Sequence, residues 1–552
     1  MKTSKFRLLI GIGLLAAMIF AVIALTSPYA PVVQPVRDIE EIWAIEDARQ
    51  ESEKPLITAL ENNGVALGYD QYENTFYCAL SMDNADVWPQ IHLTAPNGKN
   101  VQICFVDDYT YDWCSDAIRE NYAYQIIAYN DDVYSYAQIV FTGMPVLCMT
   151  TKEEVPAHVD IPAVLTWSYD EQTEMESYAR THKRGASTLF FGNPKVGFKT
   201  EFTRNANGTD KIQAEVKNLG ITDEFVLIPC LNTEMMQDRL CWDLYGMMNG
   251  YDCPFGKRDM FFTELFINNE YLGVFLAMNP FQYETELGKV SRSAVETDSI
   301  YRTIVANDLD KERPLYIDEK GTDYEVYYTN KPSGSEFQPL QLFIDAFSNA
   351  ERETQEADYD FMKTVENQFN IDSFLQYFLF VQACGLKDNL INNMYIWAKQ
   401  TPHGYEYHLK PWDLNVSWGG SSENYEDQKW TLLPLFDRAL ELDCTGMIRE
   451  RMLEIWKEMR KEVFTAQMVE RLVQQYTMEL QESGAFYRDA GKWGKSEFYP
   501  DGYSICAYAQ LRFKMLDERI EEMASEKLKG HILEITEYET LDLGIQEAVL
   551  AE

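Results

Sequence analysis

The chain has 552 residues, 46% of them hydrophobic and 13% aromatic, which excludes a disordered chain and a single small module. At roughly 150 residues per domain, three domains is the natural expectation. Its 48 Lys+Arg against 88 Asp+Glu leave a net charge of −40, a field that repels phosphate backbones and so excludes nucleic acid as a general partner.

In chain order, residues 1–30 come first as a segment of their own. Lys2, Lys5 and Arg7 precede an uncharged apolar run over residues 8–25, which Thr26, Ser27 and Pro28 close. That length after a basic end predicts an N-terminal anchor with the rest of the chain outside the membrane, because the positive end stays cytoplasmic. Cleavage and secretion is the alternative, although Pro28 spoils an A-x-A signal ending at Ala30. An exported chain permits disulfides, and Cys78, Cys104, Cys114 and Cys148 share the first folded region. Cys230, Cys241, Cys253 and Cys384 lie among apolar residues and read as buried thiols, and C-x-x-C spacing does not occur.

Residues 31–55 are acidic and polar, a stalk ending in a short helix. Over residues 56–155, β-type runs at 75–78, 101–105, 122–129 and 137–141 alternate with turns, including the hairpin signals Asn63-Gly64 and Asn97-Gly98. They predict a β-sandwich-like module without a catalytic cluster, suited to spacing or binding. From 160 to 290, strands at 198–202 and 225–228 mix with a helix over 233–247, followed by a hairpin of 260–266 and 271–278 around Asn268-Asn269. Residues 291–340 read as polar and irregular. Beyond 340 the pattern is helical, interrupted by a strand pair at 394–398 and 407–410; helices return over 430–530, and residues 531–552 form an acidic tail. The fold class is α+β, and the lack of regular βαβ alternation excludes a doubly wound sheet.

The chemistry concentrates in 387–415. Asp388 and Asn393 stand five apart, and a hairpin then delivers Asp413 within Lys410-Pro411-Trp412-Asp413-Leu414-Asn415. Phosphoryl transfer needs this set: one carboxylate to orient the nucleophile, and an amide with a second carboxylate to hold metal ions on a triphosphate. Protein kinases use the same order of Asp, four residues, Asn, hairpin, Asp. The competing reading is a capping turn for Asp388, Asn389, Asn392 and Asn393, and a strand-end cap for Asp413.

Arg184-Gly185-Ala186-Ser187-Thr188, residues 225–244, 264–276 and 388–419 together resemble the CotH spore-coat kinase family, over about residues 160–530. The resemblance implies an atypical protein-kinase-like domain with a helical C-terminal half, which transfers phosphate from ATP to Ser of secreted or coat proteins. On that resemblance Asp388 is the catalytic Asp, while Asn393 and Asp413 hold Mg²⁺ or Mn²⁺. Lys195 or Lys199 contacts the nucleotide phosphates. Lys199 ranks slightly higher, because Phe198 and Phe202 place it on a strand. Arg239 stands where the family helix has Lys, although pairing with Asp243 is an alternative. Ala186, Asn279 and Asn415 depart from the family, which tends to carry Asn, Glu and an acid there. Two other classes stay open: a surface binding or adhesion protein with a decayed nucleotide site, and, more weakly, a carbohydrate-active enzyme. Glu264 reads as an edge glutamate or the partner of a buried base, and Trp412 and Trp418 as core. His182, His403 and His408 show no metal-ligand spacing.

Overall fold

The computed structural model describes residues 37–82, 91–96, 100–106, 113–185, 189, 192–230, 235–249, 258–280, 298–303, 324–329, 335–350, 354–386, 389, 393–419, 434–494 and 502–525. The apolar run at 8–25, the Asn97-Gly98 turn, Cys253 and the tail at 531–552 lie outside them. The chain is mixed α+β, sheet-rich in its N-terminal part and helical in its C-terminal half. It forms two compact units. One comprises Met1–Thr233, Asp259–Pro280 and Gln475–Pro500; the other comprises Glu234–Arg258, Phe281–Gln474 and Asp501–Glu552.

The first unit opens with the helix Ile39–Asp47, started by Asp38, whose carboxylate accepts from the Glu40 N–H at 3.2 Å. A six-stranded sheet follows in the order Gly68–Asp70, Thr75–Ala79, Val133–Thr142, Ala123–Tyr129, Gln102–Phe105, with Gln50–Glu51 added on Val133–Thr142. Alternation along its strands sends Ile127 and Tyr129 to one face, against Ile42 and Ile45 of the first helix. Tyr124 and Ile126 go to the other face, over the helix Cys114–Arg119 and a small sheet of Glu61–Asn62, Val65–Ala66 and Leu93–Thr94. The sandwich expectation needs correction here. The Asn63-Gly64 hairpin forms, but one mixed sheet, with two parallel pairings, lies between a helix and a composite layer. The helix Ile39–Asp47 falls where a short helix is expected, while the six-residue helix Cys114–Arg119 is too short to stand out as a 3.6-residue period in sequence.

The same unit holds a closed barrel of seven strands: Val146–Thr151, Ile161–Ser168, Glu174–Arg184, Gly197–Thr203, Glu224–Pro229, Glu270–Met278 and Met260–Ile267, the last returning in parallel to the first. Closure leaves the barrel no open edge. Trp167, Phe202, Phe225, Leu265 and Phe275 fill the interior. The hairpin of Met260–Ile267 and Glu270–Met278 turns at Asn268-Asn269, both with positive φ (50° and 62°), as side chains of this type tolerate. Glu264 is no edge residue: it is 0% exposed and meets Arg488 of the helix Ala485–Lys492.

The second unit is helical around a four-stranded sheet ordered Tyr324–Thr329, Asp298–Thr303, Met394–Thr401, Gly404–Pro411. Its first two strands fall in the stretch read from sequence as irregular. Their six-residue runs carry charge and lie apart in the chain, so neither shows the apolar alternation of a half-buried strand. The helix Ile371–Cys384 forms the centre. Asn370 caps it by accepting from the Ser373 N–H at 3.0 Å, and eleven of its residues are buried. Phe374 and Phe378 stack on Phe436 of the helix Pro434–Leu442, with ring centroids 3.7 and 4.4 Å apart. Among the described residues every cysteine is free; Cys230, Cys241 and Cys384 are buried thiols as expected. No helix among the described residues is long and apolar enough to cross a membrane.

One half-buried histidine gives this unit a sensitivity to acid. His408 stacks on Trp397 (4.7 Å) and its Nε2 lies 2.8 Å from Glu406; burial first, then the Lys410 charge, push its pKa down to about 4 despite Glu406. In the unfolded chain the ring protonates near 6.5, so between those values the unfolded state binds the extra proton. Stability should therefore fall as pH drops from 6.5 toward 4, by up to about 1.4 kcal/mol per pH unit. Urea unfolding at pH 7 and pH 5 should show a smaller loss in His408→Gln than in the wild type; equal losses would remove His408 as the cause.

Candidate functional site

The strand pair Met394–Thr401 and Gly404–Pro411 is the frame on which the candidate residues stand. Met394 pairs with Pro411, so the residues just outside the ladder, Asn393 and Trp412, also face each other, and the Trp412 N–H donates to the Asn393 carbonyl at 2.8 Å. Asn393 and Asp413 thus leave the same end of one hairpin. Both are half-buried, and both take left-handed backbone, with φ of 52° and 54°. Asn and Asp are the non-glycine residues that best tolerate this conformation, which still costs about 1 kcal/mol each and tends to be kept where function demands it.

Their register depends on the chain before the hairpin. The helix Ile371–Cys384 ends at Gly385, φ +66°, where a Cβ would stand 2.1 Å from the Tyr508 Oη; only glycine fits. Four residues on, Asn389 is fully buried. Its Nδ2 donates to the Asn393 carbonyl (2.9 Å) and to the Trp412 carbonyl (2.6 Å), and its own carbonyl accepts from the Tyr377 hydroxyl at 2.5 Å. Asp388, with Lys387 and Asn392, lies outside the described residues.

The helix Gln237–Asn249 holds the segment after the hairpin. Asp238 accepts from the Leu414 N–H (3.1 Å), Gln237 Nε2 donates to the Ser417 carbonyl (3.4 Å), and the Trp418 indole N–H donates to the Cys241 Sγ (3.2 Å). Trp412 and Trp418 are core, as expected. Arg239 is half-buried on this helix, in the same unit as Asn393, Asp413 and Asn415.

Lys195 and Lys199 belong to the other unit, and their surroundings differ sharply. Lys199 lies on the strand Gly197–Thr203, as expected, but its Nζ is held by Glu201 (3.0 Å) and Glu224 (3.2 Å) in a network that Lys211 and Arg180 share. Burial would raise the Glu201 pKa; hydrogen bonds from Lys199 and Arg180 and the charges of Lys199 and Lys211 overcome this and hold it at about 2. Lys195 precedes the strand and is 4% exposed. It pairs with the fully buried Asp489, lies 5.0 Å from the Phe275 ring centre, and lines a cavity of about 830 Å³. Phe198 and Phe275 wall this cavity, and Lys152, Lys183 and Lys492 line it together with Glu153, Glu154 and Glu270. Its size and its mix of apolar walls with a few charged groups suit a small-molecule site. The two lysines thus differ in setting: Lys195 pairs with Asp489 and lines a cavity, while Lys199 is held by Glu201 and Glu224 on the barrel wall.

The energetic contrast is testable. Lys195→Ala strands the Asp489 charge in the interior and should cost about 3–5 kcal/mol. Lys199→Ala should cost about 1 kcal/mol or less, since Lys199 is a third exposed and Arg180 and Lys211 still pair with Glu201 and Glu224. Chemical denaturation of the two variants measures both, and equal losses would contradict this assignment of burial.

Asn393 and Asp413 bring oxygen donors, the kind Mg²⁺ and Mn²⁺ prefer. Among the described residues no group of three or more His, Cys, Asp or Glu could hold a metal alone. The donor set fits an ion that takes its remaining ligands from phosphates and water. Asp238 and Asp489 were not singled out from sequence, and Asn389 was named only as part of a capping turn. Asn389 carried a signal, as an amide in an Asn-rich turn, but nothing local separates it from Asn392. Asp489 carried none, being 294 residues from Lys195.

No curated protein matches the chain. A family model described as CotH kinase protein matches residues 182–529, more than half of its length.

Proposed function

From the premise that the chain belongs to the CotH kinase protein family, we propose that it is an exported, membrane-anchored kinase that transfers phosphate from ATP to Ser of secreted or surface proteins. The observation that carries this reading is the hairpin that brings Asn393 and Asp413 to one end of the same strand pair.

In this reading Asp388 orients the Ser hydroxyl and accepts its proton late in the transfer. Asn393 and Asp413 supply oxygen ligands to Mg²⁺ or Mn²⁺. The bound ion would neutralise charge on the phosphates. Lys195 steadies nucleotide phosphates, with Lys199 or Arg239 as the other candidates. Arg239 keeps the charge of the family's Lys and adds bidentate geometry. Catalysis is then mostly positioning and electrostatics. Residues 8–25 would anchor the chain and leave the catalytic units outside the membrane.

The test is transfer of labelled phosphate from ATP with Mn²⁺ by the purified chain, onto itself or onto Ser-rich acceptors, beside Asp388→Ala and Asp413→Ala. Label on Ser that both variants lose supports the kinase reading. A nucleotide at 100 times its dissociation constant should also stabilise the chain by about 2.7 kcal/mol. Neither label nor stabilisation would favour a surface binding protein with a decayed site, for which Ala186, Asn279 and Asn415 speak.

A further inference from the structure

We infer that Asn389 is a positioning residue that holds Asn393 and Asp413 in one frame and so sets the affinity of the pair for its metal ion. The inference rests on the kinase reading above and extends it to a residue outside the ligand set.

Asn389 has the geometry for this role. Its single amide nitrogen donates to the Asn393 carbonyl and to the carbonyl of Trp412, the residue before Asp413. One buried group therefore ties both ends of the hairpin at the points where the two candidate ligands leave it. The amide orientation is unambiguous: turned over, its oxygen would face two carbonyl oxygens. Oδ1 is buried and finds no hydrogen-bond partner among the described residues, so the side chain is placed by its two donations. The backbone of Asn389 is held in turn, because the Tyr377 hydroxyl donates to its carbonyl and its own N–H reaches the Leu386 carbonyl at 3.3 Å. Tyr377 is buried on the helix Ile371–Cys384, so the ligand pair is referred back to the central helix of its unit. Both ligands have left-handed backbone that would relax if this tie were lost. Outer-shell partners of metal ligands typically control affinity by about 10–100-fold.

The experiment is Mn²⁺ titration of the full chain in the presence of ATP, following free Mn²⁺ by electron paramagnetic resonance, for the wild type, Asn389→Ala and Tyr377→Phe. A thermal melt of each serves as the folding control. Asn389→Ala should weaken Mn²⁺ about 10-fold or more. Tyr377→Phe, which keeps the ring and removes only the hydroxyl, should weaken it in the same direction by less. Phosphate transfer by both variants should recover as Mn²⁺ is raised, because the ligands remain and only their placement has loosened. A residue that serves folding alone would lower the active fraction and leave the apparent Mn²⁺ affinity unchanged. Wild-type Mn²⁺ affinity in a folded Asn389→Ala overturns the inference. If that variant does not fold, unchanged affinity in Tyr377→Phe overturns it instead. A wild type that binds no Mn²⁺ with ATP would fail earlier, taking the kinase reading down together with this one.

Discussion

Arg488→Ala is expected to destabilise the first unit by about 3–5 kcal/mol, among the largest losses for any single truncation in the chain. Its guanidinium is 3% exposed and grips Glu264 with two bonds of 2.8 Å, Nε to Oε1 and Nη2 to Oε2. Nη1 donates to Asn121 (2.8 Å), Nη2 to the Thr142 hydroxyl (2.5 Å) and to the Ser483 carbonyl (3.1 Å), and the group lies 5.8 Å from the Tyr77 ring centre. Glu264 also accepts from the hydroxyls of Tyr271 and Thr142, at 2.8 and 2.7 Å. Removing the arginine leaves a carboxylate at 0% exposure with no cation to balance it. Glu264→Met combined with Arg488→Met should recover most of the loss, since neither charge then remains inside. Arg119→Ala, which breaks an exposed pair with Glu482, is the control and should cost about 1 kcal/mol or less. Denaturant midpoints of the four proteins measure the set. A loss in Arg488→Ala no larger than in Arg119→Ala would show that the buried network contributes little.

Asp413→Asn should lower phosphate transfer by about 10²–10³-fold while leaving the fold intact. Asparagine keeps the shape and the tolerance for the φ of 54° at this position and removes only the charge. Asp413→Gly should be equally inactive yet as stable as the wild type or slightly more so, because glycine takes left-handed backbone without the cost of a Cβ. Inactivity without instability is the signature of a residue kept for function. The measurement pairs transfer rates with melting temperatures. An active Asp413→Asn would remove Asp413 from the metal role, and an unfolded one would return it to the strand-end capping role that competes with that assignment.

Much of the site could be read from sequence because it is built locally. Asn268-Asn269 turns the barrel hairpin, and the runs on either side pair as the expected two strands, with an irregularity between Leu265 and Phe266. The strands around residue 402 do the same, so the spacing from Asn393 to Asp413 was already a statement about proximity. The helix at 233–247 was seen with its start a few residues early, since its described span is Gln237–Asn249. The strands Asp298–Thr303 and Tyr324–Thr329 were missed, because they join a sheet whose other strands lie far along the chain. Lys199 lies on a strand, as its flanking phenylalanines imply, while the burial of Lys195 against Asp489 leaves no local sign. Both are lysines near one strand, and a strand position is no guide to which of them meets a carboxylate from a distant helix.

Charge and α+β class thus follow from composition and short-range pattern, because hairpins and helices draw their register from neighbours within a few residues, while the family and the candidate set Asp388, Asn393 and Asp413 follow from motifs that resemble the CotH family. Which basic side chain is buried, which glutamate is internal and which asparagine ties the hairpin ends required the folded chain. Those facts depend on pairs such as Lys195 with Asp489, 294 residues apart, and Arg488 with Glu264, 224 apart. The desolvation that makes such pairs matter exists only once both partners have left water, and nothing in either local sequence records that meeting.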